Sequence, residues 1–94
     1  MPAVSVVVPV LNEAENIVPL VQEITDALTG VEDFEIIYVD DGSTDATRQE
    51  LAELAKTISE LRFLRHQKRA GQSAAVRSGV EAATFSLIAT LDGD

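Results

Sequence analysis

The stretch Glu35–Asp45, with the sequence EIIYVDDGSTD, constrains the fold more than any other part of this chain. Its first half, Ile36–Val39, is a short β-branched and aromatic run, which is typical of a buried strand. Two carboxylates, a glycine and two hydroxyl residues follow, and helical spacing then begins. Open α/β sheets bind ligands outside the carboxyl ends of their strands, and core packing does not require the two acids. The stretch therefore predicts a ligand site.

The composition fits one small domain with an aliphatic core. The chain has 94 residues, of which 46% are hydrophobic and only 4% aromatic, and it contains no cysteine. A disulfide framework and a thiolate metal site are therefore excluded. The formal charge of −9, from 16 acidic and 7 basic residues, argues against a nucleic-acid partner, because phosphate contacts need clustered Lys and Arg.

The charges are distributed unevenly. Residues 1–47 hold no lysine or arginine, whereas all seven basic residues lie in residues 48–94, five of them between Arg62 and Arg77. Such a run is usually a solvated face, and the alternative is that some of these bases face a phosphate group.

No segment approaches the roughly 20 apolar residues that a membrane-spanning helix needs. The apolar run Ser5–Leu11 is short and has no basic residues before it, so it does not predict a signal peptide. The sequence alone thus predicts a soluble, cytoplasmic chain. The sequence LDGD at residues 91–94 comes at the end of an apolar run and is not followed by a closing helix. We therefore expect residues 1–94 to be one domain that is truncated at this point.

Apolar spacing predicts four strands that alternate with three helices. The strands are expected at Val4–Val8, Glu35–Asp40, Leu61–Arg65 and Phe85–Leu91, with Pro9 ending the first of them. The helices are expected to start near Glu15 or Asn16, near Asp45, and at a cap on Ser73. Small residues around Gly79 predict that the third helix lies close to the sheet.

The order βαβαβαβ implies parallel strands that are joined by right-handed crossovers. Three helices must then cover the two faces of one sheet. The predicted fold class is α/β, a doubly wound, Rossmann-like half-sheet.

Two acid clusters end predicted strands, namely Asp40 with Asp41, and Asp92 with Asp94. The carboxyl ends of parallel strands share one edge, so the clusters are expected to face one crevice. Gly93 lies between the second pair and would let the backbone turn tightly, so that both carboxylates reach one point. Such hard oxygen ligands suit Mg²⁺ or Mn²⁺, which would stabilise a diphosphate leaving group, whereas an isolated Asp-x-Asp is more often a turn.

The remaining polar residues differ in what they are suited to do. The carboxylate of Asp40 is suited to accept hydrogen bonds from a nucleobase N–H or a ribose hydroxyl. The alternative role, a helix cap, fits Asp45 better. Glu13 reaches either the crevice or the surface. His66, the only histidine, has no partner at metal-ligand spacing and is expected to be a loop residue rather than a general base.

Four segments in order resemble the N-terminal nucleotide-binding half of a family 2 glycosyltransferase. They are VSVVVPVLNEAE from Val4, EIIYVDDGSTDAT from Glu35, the loop around Gly71 with its alanine-rich helix, and the final LDGD. The greatest similarity is to polyprenyl- and dolichyl-phosphate mannosyl- and glucosyltransferases. The resemblance spans the chain and implies a GT-A fold. It also implies inverting sugar transfer from a UDP- or GDP-sugar, with Mg²⁺ or Mn²⁺, to an acceptor such as a polyprenyl phosphate.

The resemblance also implies roles for individual residues. Those implied to bind the nucleotide are Pro9, Leu11, Glu13, Tyr38, Asp40, Asp41 and Asp92, and those implied to hold the metal are Asp92 and Asp94. Asp40 would hydrogen-bond the base, and the backbone near Tyr38 would touch it. Leu11 stands where the family commonly has an aromatic residue. The family places its general base after the Asp-x-Asp pair, so no catalytic residue is assigned within this chain.

Other function classes remain open at this point. LDGD also resembles the Asp-x-Asp of aspartate-nucleophile phosphatases, whose first acid attacks phosphate, although that motif normally opens its domain. A receiver-like phosphoacceptor domain shares the parallel sheet but not the order of strands and acids. A non-catalytic folded fragment is the third possibility, and its exposed fourth strand would favour a homodimer.

Overall fold

The computed structural model describes residues 3–31 and 33–93. These residues form a parallel sheet that is covered by helices on both faces. The strands are β1 (Val4–Val10), β2 (Phe34–Asp40), β3 (Leu61–Arg65) and β4 (Ile88–Thr90), and the helices are α1 (Ile17–Ala27), α2 (Thr47–Ala55) and α3 (Gln72–Ala82). The predicted α/β alternation is therefore confirmed.

The strand order is β3-β2-β1-β4. The chain runs outward from β1 through β2 to β3, and then crosses back to place β4 on the other side of β1. The two connections diverge at the carboxyl end of β1, which makes it a topological switch point. Open α/β sheets have their ligand crevice at such a point.

Strands β1 and β2 supply apolar side chains to both faces of the sheet. The face toward α1 and α2 carries Val4, Val6, Val8, Val10, Ile36 and Tyr38, and the face toward α3 carries Val7, Ile37 and Val39. Every residue of β1 is buried. A central parallel strand that is covered on both faces reads as a continuous apolar run for this reason.

Helix α3 packs close to the sheet, as predicted, because it buries Ala75 and Gly79 against it. A Cβ atom at position 79 would lie 3.2 Å from Cγ2 of Val39 and would collide with the side chain of Val7. Glycine is therefore required here by close packing and not by a turn.

The predicted end of β1 at Pro9 is wrong, because the strand continues to Val10. The Asp41 N–H donates to the Val10 carbonyl at 2.9 Å, so Val10 faces β2. Successive residues of a strand direct their backbone groups to opposite sides, so the nitrogen of Pro9 faces β4. Strand β4 ends at Thr90, before it reaches the level of Pro9. The donor that proline lacks is not needed by any neighbouring strand at this position.

Strand β4 is shorter than the predicted Phe85–Leu91. The N–H of Thr84 donates to Oε2 of Glu35 at 2.5 Å, and the N–H of Phe85 donates to Oγ of Ser5 at 3.1 Å. Residues 84 and 85 thus donate to side chains of β1 and β2, and the backbone pairing of β4 with β1 begins only after these residues.

The helix starts deviate from the predictions by a few residues. A 3₁₀ turn at Ala14–Asn16 precedes α1, which begins at Ile17. Helix α3 begins before the predicted cap Ser73, because Gly71 occupies the N-cap position with φ of 101°. No helix within the described residues has the length and apolar composition needed to cross a bilayer.

Candidate functional site

The carboxyl edge of the sheet places Asp40 and Asp92, one residue from each acid cluster, on either side of β1. Asp40 ends β2, and Asp92 follows β4. Because β1 lies between these strands, two strand spacings, together about 10 Å, separate them. A ligand that contacts both clusters must therefore lie across the end of β1.

Asp40 is a fully buried acid with one unsatisfied oxygen. Its side chain is 0% exposed, and its Oδ1 accepts the N–H of Ser43 at 2.9 Å. Its Oδ2 is buried and has no hydrogen-bond partner among the described residues. Leaving a buried polar atom without a partner costs on the order of 1–3 kcal/mol. Asp40 thus holds an acceptor that the described part of the protein does not use.

Asp41, the next residue, has both carboxylate oxygens occupied. Oδ1 accepts the N–H of Ala70 at 2.8 Å and lies 2.8 Å from Nδ1 of His66, and Oδ2 accepts the N–H of Gly71 at 2.9 Å. Burial acts to raise the pKa of Asp41, but these hydrogen bonds outweigh it and hold the pKa below its ordinary value. Asp41 therefore fixes the loop that follows β3 against the end of β2.

His66 connects Asp41 to helix α3. Its Nδ1 faces Asp41, and its Nε2 lies 2.9 Å from Oγ of Ser78. His66 lies in a loop, as predicted, but no local sequence pattern indicated either of its partners. They are 25 and 12 residues away along the chain, and only the crossover through α3 brings them together.

A second group of hydrogen bonds joins the loops that follow β1 and β2. Oδ1 of Asn12 accepts the N–H groups of Thr44 and Asp45 at 2.8 and 3.3 Å, and the Asn12 N–H donates to Oγ of Ser43 at 2.9 Å. Asn12 has φ of 53°, a conformation that asparagine tolerates better than most residues. This role of Asn12 was not predicted, although asparagine after a strand is a turn signal.

Asp45 acts at the start of α2, as predicted. Its Oδ1 accepts the N–H of Thr47 at 2.9 Å and the Thr47 hydroxyl at 2.5 Å, and its Oδ2 accepts the N–H of Ala14 at 3.4 Å. The hydrogen bond from the Thr47 hydroxyl is the main cause of a pKa of Asp45 below its usual value. Asp45 therefore has a structural role that Asp40 does not share.

Five of the seven predicted nucleotide-binding residues line three hollows along the carboxyl edge. The first is lined by Pro9, Val10, Leu11, Asp41, Arg69, Gln72 and Ala75. Glu13 lines the second, beside Asn12 and Asp45, and Asp92 lines the third, beside Gly93 and Pro19. Tyr38 and Asp40 are buried and line none of the three.

Among the basic residues between Arg62 and Arg77, Arg62 has a structural role and Arg69 lines the first hollow. Arg62 donates from Nε to Oε1 of Glu35 at 3.1 Å and from Nη2 to the carbonyl of Ala82. Arg69 lines the first hollow, and its guanidinium forms no ion pair within residues 3–31 and 33–93. Arg69 is therefore the base that best fits the expectation of a phosphate-facing residue, although the sequence did not single it out.

Gly93 brings the end of β4 against β1. A Cβ atom at this position would lie 2.6 Å from the carbonyl oxygen of Pro9 and 3.1 Å from Cγ1 of Val8. Its φ lies outside the left-handed region, and the close approach to β1 accounts for the glycine. The expected turn toward Asp94 stays a prediction. Asp92 is exposed, and Asp94 lies outside the described residues. Within those residues, no three acids or histidines form a group that could hold a metal ion.

We expect the protein to lose stability in acid, through Asp41 and Glu35. Burial raises the pKa of Glu35, but hydrogen bonds from Ser5, Thr84 and Arg62 outweigh it and lower the pKa below 4.5. A lowered folded-state pKa stabilises the fold above the unfolded value, and this contribution is lost as the pH falls through the folded value.

Denaturant midpoints that are measured across pH should therefore stay level above about 4.5 and fall below it. The Glu35→Gln variant should show a shallower fall than the wild type. A midpoint that stays constant or rises in this acid range would contradict the assignment of both carboxylates.

A doubly wound parallel sheet, with a crevice at its switch point and acids at its carboxyl edge, defines a nucleotide-binding type of α/β domain. The family model of glycosyl transferase family 2 matches residues 5–94, and the chain belongs to this family.

The chain is also similar to individual members of this class. It is 41% identical to a dodecaprenyl-phosphate galacturonate synthase of Rhizobium johnstonii, over 96% of the chain and 27% of the relative. It is 36% identical to the dolichol-phosphate mannosyltransferase of Pyrococcus furiosus, over 97% of the chain and 25% of the relative. The chain thus spans about a quarter of the length of these curated relatives.

A solved structure agrees with the fold. The mannosyltransferase PcManGT from Pyrobaculum calidifontis, in complex with GDP-Man and Mn²⁺, matches with a TM-score of 0.77 and 29% identity. The match covers 99% of this chain and 28% of the mannosyltransferase. The predicted GT-A fold is confirmed.

Proposed function

We propose that this chain is the donor-binding part of an inverting glycosyltransferase that uses a UDP- or GDP-sugar with Mg²⁺ or Mn²⁺. Residues 1–94 would form the nucleotide-sugar-binding part of a longer glycosyltransferase domain. The whole protein would transfer the sugar to an acceptor such as a polyprenyl phosphate. The observation that carries the proposal is the buried Oδ2 of Asp40 at the carboxyl end of β2, which has no hydrogen-bond partner within residues 3–31 and 33–93.

The strand order supports one orientation of the donor. The base would lie on the β2 side, where an N–H donor would satisfy Asp40. The nucleoside would cross the end of β1 over Pro9 and Leu11, which already line a hollow at this edge. The diphosphate would then reach the β4 side near Asp92.

The residues that follow β4 carry the type of ligand atom that the proposed metal prefers. Carboxylate oxygens are the ligands that Mg²⁺ and Mn²⁺ prefer, and these ions usually complete their coordination with water and substrate phosphates. Asp92 is exposed at the edge beside β1, and Asp92 and Asp94 would hold the ion. When bound, the ion would neutralise the diphosphate and make it a better leaving group.

The acceptor, the general base and the location of the whole protein belong to the same proposal. The base and the acceptor site would lie in parts that follow the Asp-x-Asp pair. Donor binding would take place on the cytoplasmic side of the membrane, where nucleotide sugars are supplied. The relative from Rhizobium johnstonii, named for dodecaprenyl-phosphate galacturonate, supports a polyprenyl phosphate as the acceptor.

The edge of β4 gives a further expectation, a homodimer. Strand β4 is the last strand of the described sheet and pairs only with β1 there. An unpaired edge is a template for a second copy. A mass measurement in solution that finds only monomers at high concentration would contradict it.

Calorimetric titration of Asp40→Asn tests the nucleotide site. The wild type is titrated with UDP and GDP, each with and without Mn²⁺. We expect Asp40→Asn to bind the preferred nucleotide at least about tenfold more weakly, since a hydrogen bond to a charged group contributes about 1.5–3 kcal/mol. The fold should lose no stability, because the amide oxygen still accepts from Ser43, and Oδ2 has no hydrogen bond to lose among the described residues.

Glu53→Gln, on the exposed side of α2, is the matched control and should bind like the wild type. Equal binding by Asp40→Asn and this control would contradict the proposed site. A folded chain that binds neither nucleotide would favour the alternative of a fragment that only folds. A longer form of the protein that binds would restore the proposal.

A further inference from the structure

Three side chains, those of Asp41, His66 and Ser78, are joined by hydrogen bonds on the α3 face of the sheet, and of these only Asp41 lines the hollow that the donor is proposed to cross. Oγ of Ser78 lies 2.9 Å from Nε2 of His66, and Nδ1 of the same ring lies 2.8 Å from Oδ1 of Asp41. The side chains of Asp41 and His66 are 5% and 21% exposed, and Ser78 is half-buried. Nothing in the proposed donor binding uses Ser78.

In the neutral form of the His66 ring, the partners of the two ring nitrogens determine where the protons lie. The N–H groups of Ala70 and Gly71 both donate to Asp41, which therefore acts as an ionised acceptor. The Nδ1 atom of His66 must then carry a proton toward Asp41. In the neutral ring, Nε2 is left with its lone pair, and the only hydrogen that can lie between it and Ser78 is that of the hydroxyl.

This polarity is that of a hydroxyl that is activated by a histidine, which is in turn oriented by a buried carboxylate. We propose that Ser78 is an activated nucleophile that accepts the acyl group of an activated ester. Oγ of Ser78 attacks the ester carbonyl carbon while its proton passes to Nε2 of His66. The bond from the carbonyl carbon to the alcohol oxygen breaks, the alkoxide or phenolate leaves, and the imidazolium returns its proton to the leaving group or to water.

The helix determines how far this reaction goes. Ser78 lies in the middle of α3, where its own N–H is committed to the helix ladder and cannot serve as an oxyanion donor. Removing one oxyanion donor from a hydrolase typically costs about 10²–10³ in rate. The missing donor slows both acylation and deacylation, but an activated ester offsets the loss with a good leaving group, whereas the serine alkoxide is a poor one. Ser78 is therefore expected to take up one acyl group and retain it, and not to turn over esters.

Reaction with p-nitrophenyl acetate, followed by mass spectrometry of the intact chain and its peptides, tests the proposal. General base assistance contributes about 10²–10⁴-fold, so Ser78 should be acetylated at least about 100-fold faster than Ser73, an exposed serine on the same helix. Ser78→Ala and His66→Gln should both abolish the fast acetylation, and Ser73→Ala should not. Acetylation of Ser78 and Ser73 at similar rates would overturn the proposal.

A thiol version gives a readout that is independent of ester chemistry. The chain has no cysteine, so Ser78→Cys and Ser73→Cys each introduce a single thiol. With His66 as its base, the thiol at position 78 should react with iodoacetamide faster than the thiol at position 73, and His66→Gln should remove the difference. Equal rates in folded variants, as judged by circular dichroism, would also overturn the proposal.

Discussion

Replacing Asp41 with alanine is expected to lower the free energy of unfolding by about 3 kcal/mol or more, since hydrogen bonds to charged groups each contribute about 1.5–3 kcal/mol. The change removes the acceptor for the N–H groups of Ala70 and Gly71 and for the ring of His66. It leaves these donors partly buried without a partner. The loop between β3 and α3 would then lose its attachment to β2.

Urea denaturation of the Asp41→Ala variant measures this effect. Asp26→Ala, an exposed acid on α1, is the control and should change the free energy of unfolding by no more than about 0.5 kcal/mol. Hydrogen exchange should also become faster at residues 66–71 in the Asp41 variant. A stability equal to that of the control would show that the Asp41 hydrogen bonds contribute little.

Replacing Gly79 with alanine is expected to destabilise the protein, although alanine is the better helix former by about 1 kcal/mol. The added Cβ would collide with Val7 and lie 3.2 Å from Cγ2 of Val39, on the two central strands. Overpacking of this kind costs about 1–3 kcal/mol, and β-branched valines in a sheet have little freedom to move away. The clash should therefore outweigh the gain in helix propensity, and Gly79→Val should cost more than Gly79→Ala.

Thermal and urea unfolding of both Gly79 variants check the prediction. Ser73→Ala, on the exposed side of the same helix, is the control and should be neutral or slightly stabilising, because only helix propensity changes there. A Gly79→Ala variant that is more stable than the wild type would mean that α3 can move away from the sheet at little cost.

The sequence by itself determined the local features of this protein. Strand β3 has the predicted bounds, because the periodicity of apolar residues is contained within a few neighbouring positions. The same holds for the acids that follow β2 and for Asp45 at the start of α2. The small residues of α3 also predicted its approach to the sheet. The order of these features was sufficient to indicate the family.

The tertiary structure decided which distant groups satisfy one another. Asp40 and Asp41 are neighbours with the same chemistry. The oxygens of Asp41 accept hydrogen bonds from a loop about 30 residues away, whereas one oxygen of Asp40 has no partner among the described residues. Pro9 stays within its strand only because β4 ends before reaching it. His66 reaches Ser78 only because the crossover places α3 beside the loop that follows β3. Such pairings depend on strand order and crossovers, which bring together residues that no local pattern in the sequence connects.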